Sequence, residues 1–319
     1  MSHDHKIGVR QEDLDQIAKE GGAQAELPPL LRKVGDVFRP SKVNSVGATA
    51  PVRQAFKLLI DTGVLSVPVF DNKSGHYTKF LDILDVLTYV LKELGKDVMS
   101  SGYETVASNP VFNVPCKTVA QASKRNAFQS VDCDATIQTV TELMTRRNAH
   151  RVAVVDRSGE LQGLVSQSTI VRWAAEACKD LDVTSKSIAE LGIAYKDVLT
   201  VSIDSDTIEA LCTIVERDVS GVAVVDAEGK LVANLSASDL KRLGYSEYMF
   251  GNLFMPLSGF LVLSGNDIIP PVSVSASSTF GEVLNMFASK LVHRVFVVDD
   301  NGKPVGVISL VDALKVLIA

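Results

Sequence analysis

The chain has few of the features that mark secreted, membrane-spanning or catalytic proteins. Its four cysteines are scattered and show no CxxC spacing, which argues against a disulfide framework or a metal site. No apolar run approaches the roughly 18 residues that a membrane-spanning helix needs. The polar N-terminus lacks the apolar core of a signal peptide. The sequence has no glycine-rich phosphate loop, nucleophile elbow or metal cluster, so we expect a protein that is not an enzyme.

Charge and composition narrow the class of partner. The net charge of −6 argues against nucleic acid or an acidic membrane surface as a partner. A chain of 319 residues, 46% of them hydrophobic, can form several folded units with a sizeable core. We therefore expect a cytoplasmic protein, with the nucleus as the alternative compartment.

One short motif recurs four times and divides the chain into repeats. An apolar run that closes on Asp appears as VPVFD, VAVVD, VAVVD and VFVVD, ending at Asp71, Asp156, Asp226 and Asp299. A turn and a second apolar run follow each copy, which is typical of a β-hairpin. Apolar residues with helical periodicity lie before and after each hairpin. Each unit is therefore predicted to have the order strand, helix, strand, strand, helix. The predicted units are an arm at 1–33 and repeats 1 to 4 at 34–94, 115–178, 193–246 and 258–319.

Units of this size are too small to bury their own core well, so the repeats are expected to pair. Capping-box spacing predicts helix starts at Asp206 with Glu209 and at Thr279 with Glu282. Thr136 and Thr207 also stand where helices begin. The three threonines either cap helices or contact a ligand, and capping is the favoured interpretation.

Two sets of residues suggest chemistry. A His-Arg pair precedes the middle strand in repeats 2 and 4 only, as His150-Arg151 and His293-Arg294. The last helix of each repeat starts with LDILD, VSQST, LSASD or ISLVD, in nearly constant register with the strand Asp. The helix-start position is acidic in three repeats and Thr169 in repeat 2. The three acidic residues are Asp85, Asp239 and Asp312.

This pattern resembles cystathionine-β-synthase (CBS) domains over about residues 34 to 319. The resemblance implies an α/β (α+β) fold, with four β-α-β-β-α repeats paired into two Bateman modules that form a flat disk. It is most similar to the gamma regulatory subunit of AMP-activated protein kinase and its yeast and plant relatives, because the His-Arg pairs and the three acidic helix starts match. It implies AMP, ADP or ATP as regulatory ligands and an energy-sensing role. It also implies alpha-type and beta-type kinase chains as partners in a hetero-oligomer.

The resemblance also implies a role for each residue. Asp85, Asp239 and Asp312 would hold ribose hydroxyls, since one carboxylate can accept both. The two His-Arg pairs would reach one central phosphate cluster if repeats 2 and 4 face each other, since Arg offers a planar fork of donors. Alternatively, the Asp residues only cap helices and the His-Arg pairs lie on the surface. Additional contacts are expected from Ser166, Thr169, Ser236, Ser309, Thr136, Thr207 and Thr279.

Three positions depart from the kinase gamma pattern. Leu65 stands where that family has Arg, and Ser168-Thr169 replace a basic pair. Asp82 stands where Ser or Thr is usual. Because fewer cations would face the phosphates, three roles stay open. They are a kinase subunit, a free-standing CBS protein that regulates another enzyme or a transporter, and a scaffold with degenerate sites.

Overall fold

A computed structural model describes residues 27–100, 110–123, 127–243, 249–263 and 268–319. Each repeat contains one three-stranded sheet, in which a parallel pair is followed by an antiparallel hairpin. The predicted mixed α/β fold of four repeats is therefore confirmed. The strands are β1 Val46–Gly47, β2 Ser66–Asp71, β3 His76–Asp82, β4 Ser130–Asp132, β5 Arg151–Val155, β6 Leu161–Ser166, β7 Thr200–Ser202, β8 Gly221–Val225, β9 Leu231–Ser236, β10 Ser273–Val274, β11 Arg294–Val298 and β12 Pro304–Ser309.

Helices flank each sheet as the periodicity predicts. The first helix of each repeat joins the two parallel strands, and these helices are Val52–Asp61, Ile137–Arg147, Thr207–Glu216 and Phe280–Lys290. The second α-helix is Ile83–Ser100, Gln167–Ala177 or Leu310–Leu317 in repeats 1, 2 and 4. Repeat 3 has a 3-10 helix at this place, Ala237–Leu243, a form that occurs in short helical segments. None of the described helices is long and apolar enough to cross a membrane.

The Asp that closes each strand motif forms the hairpin turn. Its carboxylate accepts the backbone N–H two residues later, as in Asp156 with Ser158 at 2.9 Å. The same bond recurs at the other three turns. The turn glycine then adopts a left-handed backbone, with φ 85° at Gly159, for example. These four Asp residues are therefore turn residues by their hydrogen bonds.

The segment before each repeat packs on the other repeat of the same pair. Lys33 pairs with Thr136 and Pro51 with Pro115, which ties repeats 1 and 2 together. Ser187 pairs with Thr279, and Asp206 pairs with Pro256, which ties repeats 3 and 4 in the same way. This reciprocal exchange defines the two pairs. Residues 1–26 of the predicted arm lie outside the described residues, so only its last residues are seen to contact repeat 2. Short helices in the exchanged segments are Pro29–Leu31, Val34–Val37, Pro110–Asn113, Cys116–Ala122, Asp182–Ser185, Met249–Phe254 and Leu257–Leu261.

The two pairs join through shared cores. Leu87 of repeat 1 and Leu211 of repeat 3 belong to one buried cluster. Ile170 of repeat 2 and Phe287 of repeat 4 belong to the other. Repeats 2 and 4 are thus direct neighbours across the boundary between pairs, as are repeats 1 and 3. Burial of apolar surface between pairs holds the predicted disk together.

The predicted caps are confirmed at two of three threonines. Thr136 accepts the backbone N–H of Thr139 at 3.1 Å, and Thr279 forms the predicted capping box with Glu282. The prediction for Thr207 is wrong, because it is the first helical residue and its buried hydroxyl donates to Met255 O at 2.8 Å. The Asp206–Glu209 box is also wrong. Asp206 is the N-cap residue, but its side chain accepts no capping bond. Both carboxylates are exposed, and their like charge opposes a close approach.

Candidate functional site

The three acidic helix starts share one geometry. In each, carboxylate Oδ2 accepts the backbone N–H of the residue three positions earlier. The distances are 3.0 Å for Asp85, 2.8 Å for Asp239 and 2.9 Å for Asp312. Asp85 and Asp239 are buried, with 2% and 7% of their surface exposed. Each carboxylate therefore caps its helix and is held in a fixed position, so capping does not exclude contact with a ligand through the other oxygen.

The unusual Asp82 preserves this geometry. Its Oδ1 accepts the backbone N–H of Asp85 at 2.7 Å, so it replaces the Ser or Thr hydroxyl of the other repeats. Two buried carboxylates at one helix start would repel each other. The Arg151 guanidinium acts electrostatically on both, which offsets that repulsion.

Serines and threonines at the other helix starts act locally. Ser309 and Asp312 form a complete capping box. Ser236 donates its hydroxyl to Asp239 Oδ2 at 2.8 Å. In repeat 2, Ser166 caps the helix through the backbone N–H of Thr169 and also bonds its hydroxyl, at 3.2 and 2.7 Å. The repeat 2 position is therefore neutral, whereas the other three carry a carboxylate.

Each His-Arg arginine reaches into the other repeat of its own pair. Arg151 Nη1 donates to Ser66 O at 3.1 Å. Arg294 donates to Asn234 Oδ1 and Ser220 Oγ, both at 2.8 Å. Ser66 and Gly221 occupy the matching positions of repeats 1 and 3. A Cβ on Gly221 would lie 1.9 Å from Arg294 Nη1, so the absence of a side chain there makes room for the guanidinium.

Both guanidinium groups are buried cations beside acidic helix starts. Burial lowers the pKa of Arg294 to about 10, and the Asp239 carboxylate acts against that shift. Burial also lowers the pKa of Arg151, opposed by Asp82 and Asp85. Within each pair, the arginine of the second repeat (repeat 2 or 4) therefore interacts electrostatically with the acidic helix start of the first repeat (repeat 1 or 3). Their hydrogen bonds go to neutral acceptors.

The two His-Arg pairs converge at His293. Burial, together with the charges of Arg294, Lys241, Arg151 and His150, lowers the pKa of this imidazole to about 4. The structure thus brings the other three predicted phosphate-binding residues within electrostatic reach of His293. Each charge that acts on His293 is positive, so the surroundings of this imidazole favour an anion, while the carboxylates of Asp82, Asp85 and Asp239 act on the two arginines.

Comparison with known proteins decides the family. The sequence profile of the CBS domain matches residues 34–92, 119–176, 188–245 and 266–319, most of the chain. The chain belongs to the CBS domain family. Among solved structures, it resembles a Methanocaldococcus jannaschii protein described as a candidate archaeal homologue of gamma-AMPK. That match has a TM-score of 0.69 and 16% identity, over 90% of this chain and 100% of the other. At that identity the likeness shows the fold alone.

Curated proteins with a similar sequence are named sds23 or SDS23. Protein sds23 of Neosartorya fischeri is 26% identical over 83% of this chain and 53% of its own length. Protein SDS23 of Yarrowia lipolytica is 27% identical over 88% of this chain and 65% of its own length. The chain thus spans between about half and two thirds of the length of these relatives.

Two lysines near the acidic helix starts, Lys241 and Lys196, were not predicted from the sequence. Lys241 follows the acidic helix start of repeat 3 by two residues, and its Nζ donates to Gly63 O of repeat 1. Lys196 Nζ lies 3.4 Å from Asp312 Oδ2. Lys196 lies before the first strand of repeat 3 and gives no local signal. Lys241 lies beside a predicted ribose ligand, so its spacing from Asp239 was the available signal.

A separate cavity lies away from this centre. Its volume is about 340 Å³, and it is lined by the segment around Phe38 and Arg39 together with strands β5 and β6. None of the predicted ligand-binding residues lines it. The side chains offered there have mixed charge, so the chemistry of a ligand does not follow from them.

The low pKa of His293 predicts a pH-dependent stability of the CBS fold. Between about pH 4 and 6.5 the unfolded chain binds a proton at His293 that the folded chain does not bind, so stability falls as pH falls through this window. We expect a loss of about 1–2 kcal/mol between pH 7 and pH 5. Urea unfolding at both pH values measures it. His293→Gln should flatten the slope, whereas the same change at exposed His76 should not. Equal slopes in both variants would refute the assignment.

Proposed function

We propose that this CBS protein is a non-catalytic regulator that binds adenine nucleotides (AMP, ADP or ATP) between its repeats. The observation that carries the proposal is the cationic centre, where both His-Arg pairs meet beside acidic helix starts. Asp85, Asp239 and Asp312 would accept ribose hydroxyls, and Arg151 and Arg294 would bind phosphate. The description of the Methanocaldococcus protein as a candidate gamma-AMPK homologue agrees with this role.

Regulation requires that the nucleotide bind two states of a partner complex with different affinity. In the first version of the proposal, the kinase version, the partners are the alpha-type and beta-type chains of a protein kinase. The protein is then one subunit of a cytoplasmic hetero-oligomer. The SDS23 relatives favour a second version, a free-standing CBS protein that regulates another enzyme or a transporter. Leu65 and Ser168-Thr169 also favour the second version, because the kinase gamma pattern has basic residues at these positions and their loss leaves fewer cations for phosphate.

Calorimetric titration with AMP, ADP and ATP tests the proposal. Asp239→Asn keeps an oxygen acceptor for the Ser236 N–H but removes the charge that a ribose would use. We expect this variant to weaken binding of one nucleotide by about 1.5–3 kcal/mol, the range for a charged hydrogen bond. Asp206→Asn is the matched control, because Asp206 starts a helix of the same repeat without a capping bond.

Two results would count against the proposal. If none of the three nucleotides binds the unmodified chain, the adenylate role fails. If Asp239→Asn and Asp206→Asn weaken nucleotide binding equally, the Asp239 carboxylate caps its helix and does not contact the ribose. Capture of kinase alpha-type and beta-type chains by the tagged protein would favour the kinase version. Nucleotide binding with no such capture would favour the free-standing version.

A further inference from the structure

We propose that Lys241 makes the cationic centre selective for di- and triphosphates over monophosphates, by holding a phosphate beyond the first. The nucleoside part of this inference rests on the proposed function. The phosphate part rests on the geometry of Lys241 alone, which allows the two to be tested separately.

Lys241 links the two pairs of repeats at the centre. It lies in the 3-10 helix Ala237–Leu243 of repeat 3, and its ammonium donates to Gly63 O, 178 residues away in repeat 1. Gly63 lies two residues after the first helix of repeat 1 and has φ 65°. A carbonyl is a neutral acceptor, so the lysine charge remains to be balanced by an anion.

The charge that acts on Lys241 is that of a neighbouring cation. Burial lowers the pKa of its amine, and the charge of Arg151 lowers it further. Among the ion pairs of the described residues, none involves Lys241, Arg151 or Arg294. Asp82 and Asp85 act on Arg151 and Asp239 acts on Arg294, whereas the charge that acts on Lys241 is the cation of Arg151. Holding Lys241 beside a like charge costs free energy, which a bound polyanion would recover.

The position of Lys241 explains why the number of phosphates in the ligand should affect its affinity. Arg151 lies beside Asp85 within the first pair, and Arg294 lies beside Asp239 within the second. A ribose held by either Asp therefore presents its first phosphate to the arginine of its own pair. Lys241 joins repeat 3 to repeat 1 and acts on His293 of repeat 4, so we expect a longer phosphate chain to be needed to reach it from either ribose.

The full chain is titrated without Mg²⁺, using AMP, ATP and inorganic tripolyphosphate as probes. Lys241→Gln should weaken ATP and tripolyphosphate about 10- to 100-fold, as expected for a lost charged hydrogen bond, and AMP less than about threefold. Lys290→Gln, the same charge change on an exposed helix end, should alter none of the three. Lys241→Met keeps the apolar stem and serves as the second variant if the first unfolds.

Three outcomes overturn the inference. They are equal weakening of AMP and ATP, no weakening of either, and failure of tripolyphosphate to bind the unmodified chain. A purely structural lysine would give the second of these, with a lower melting temperature. Binding of tripolyphosphate that depends on Lys241 but no binding of nucleotide would support the inference while the adenine part of the proposed function fails.

Discussion

Replacing Gly306 with alanine is expected to destabilise the protein by about 3 kcal/mol, the upper end of the range for overpacking. Gly306 lies on strand β12, and a Cβ there would come 1.9 Å from the carbonyl oxygen of Ala194. The obstacle is backbone, so no side-chain rotation relieves it. The segment that carries Lys196 would have to leave the strand.

Gly163 provides the matched control. It occupies the same place in repeat 2, where an added Cβ would meet Ser41 Oγ at 3.4 Å, an ordinary contact. Gly163→Ala should therefore change the free energy of unfolding by less than about 0.5 kcal/mol. Urea unfolding of both variants measures the difference. Similar midpoints for the two would contradict the packing of the Ala194 backbone, which precedes the first strand of repeat 3, on strand β12 of repeat 4.

Replacing Gly221 with alanine is expected to cost about 3 kcal/mol and also to disrupt the cationic centre. The new Cβ would lie 1.9 Å from Arg294 Nη1 and 2.6 Å from Leu235 O. Moving the guanidinium breaks its bonds to Ser220 and Asn234 and leaves a buried cation without acceptors. Urea unfolding measures the loss of stability, and titration with tripolyphosphate measures whether the cationic centre still binds an anion.

Ser66 offers the control, because it holds the matching position in repeat 1. Its Oγ is buried and has no hydrogen-bond partner among the described residues, so Ser66→Ala removes an unsatisfied group and should not destabilise. Adding Gly221→Ala to an Arg294→Gln background should cost less than adding it to the unmodified chain, since the shorter side chain relieves part of the collision. Full additivity would contradict the contact between the two residues.

The repeat frame could be predicted because its signals are local. Asp-turn-Gly hairpins, helical periodicity and the Ser-x-x-Asp spacing each involve residues a few positions apart, and the structure places all three as expected. The failure at Asp206 with Glu209 comes from like charge between two exposed carboxylates, whereas the failure at Thr207 has a tertiary cause. Thr207 contacts Met255 in the segment before repeat 4, and no spacing rule near the helix start reveals that contact.

The sequence by itself therefore determined the four repeats, their hairpins, the acidic helix starts and the frame shared by the two His-Arg pairs. Only the tertiary structure decided which repeats share a core, how segments exchange within pairs and which further cations enter the centre. Arg151 meets Ser66 across 85 residues, and Lys241 meets Gly63 across 178. Such contacts depend on how whole repeats pack, because burial favours many apolar partners equally and only the assembled shape selects one.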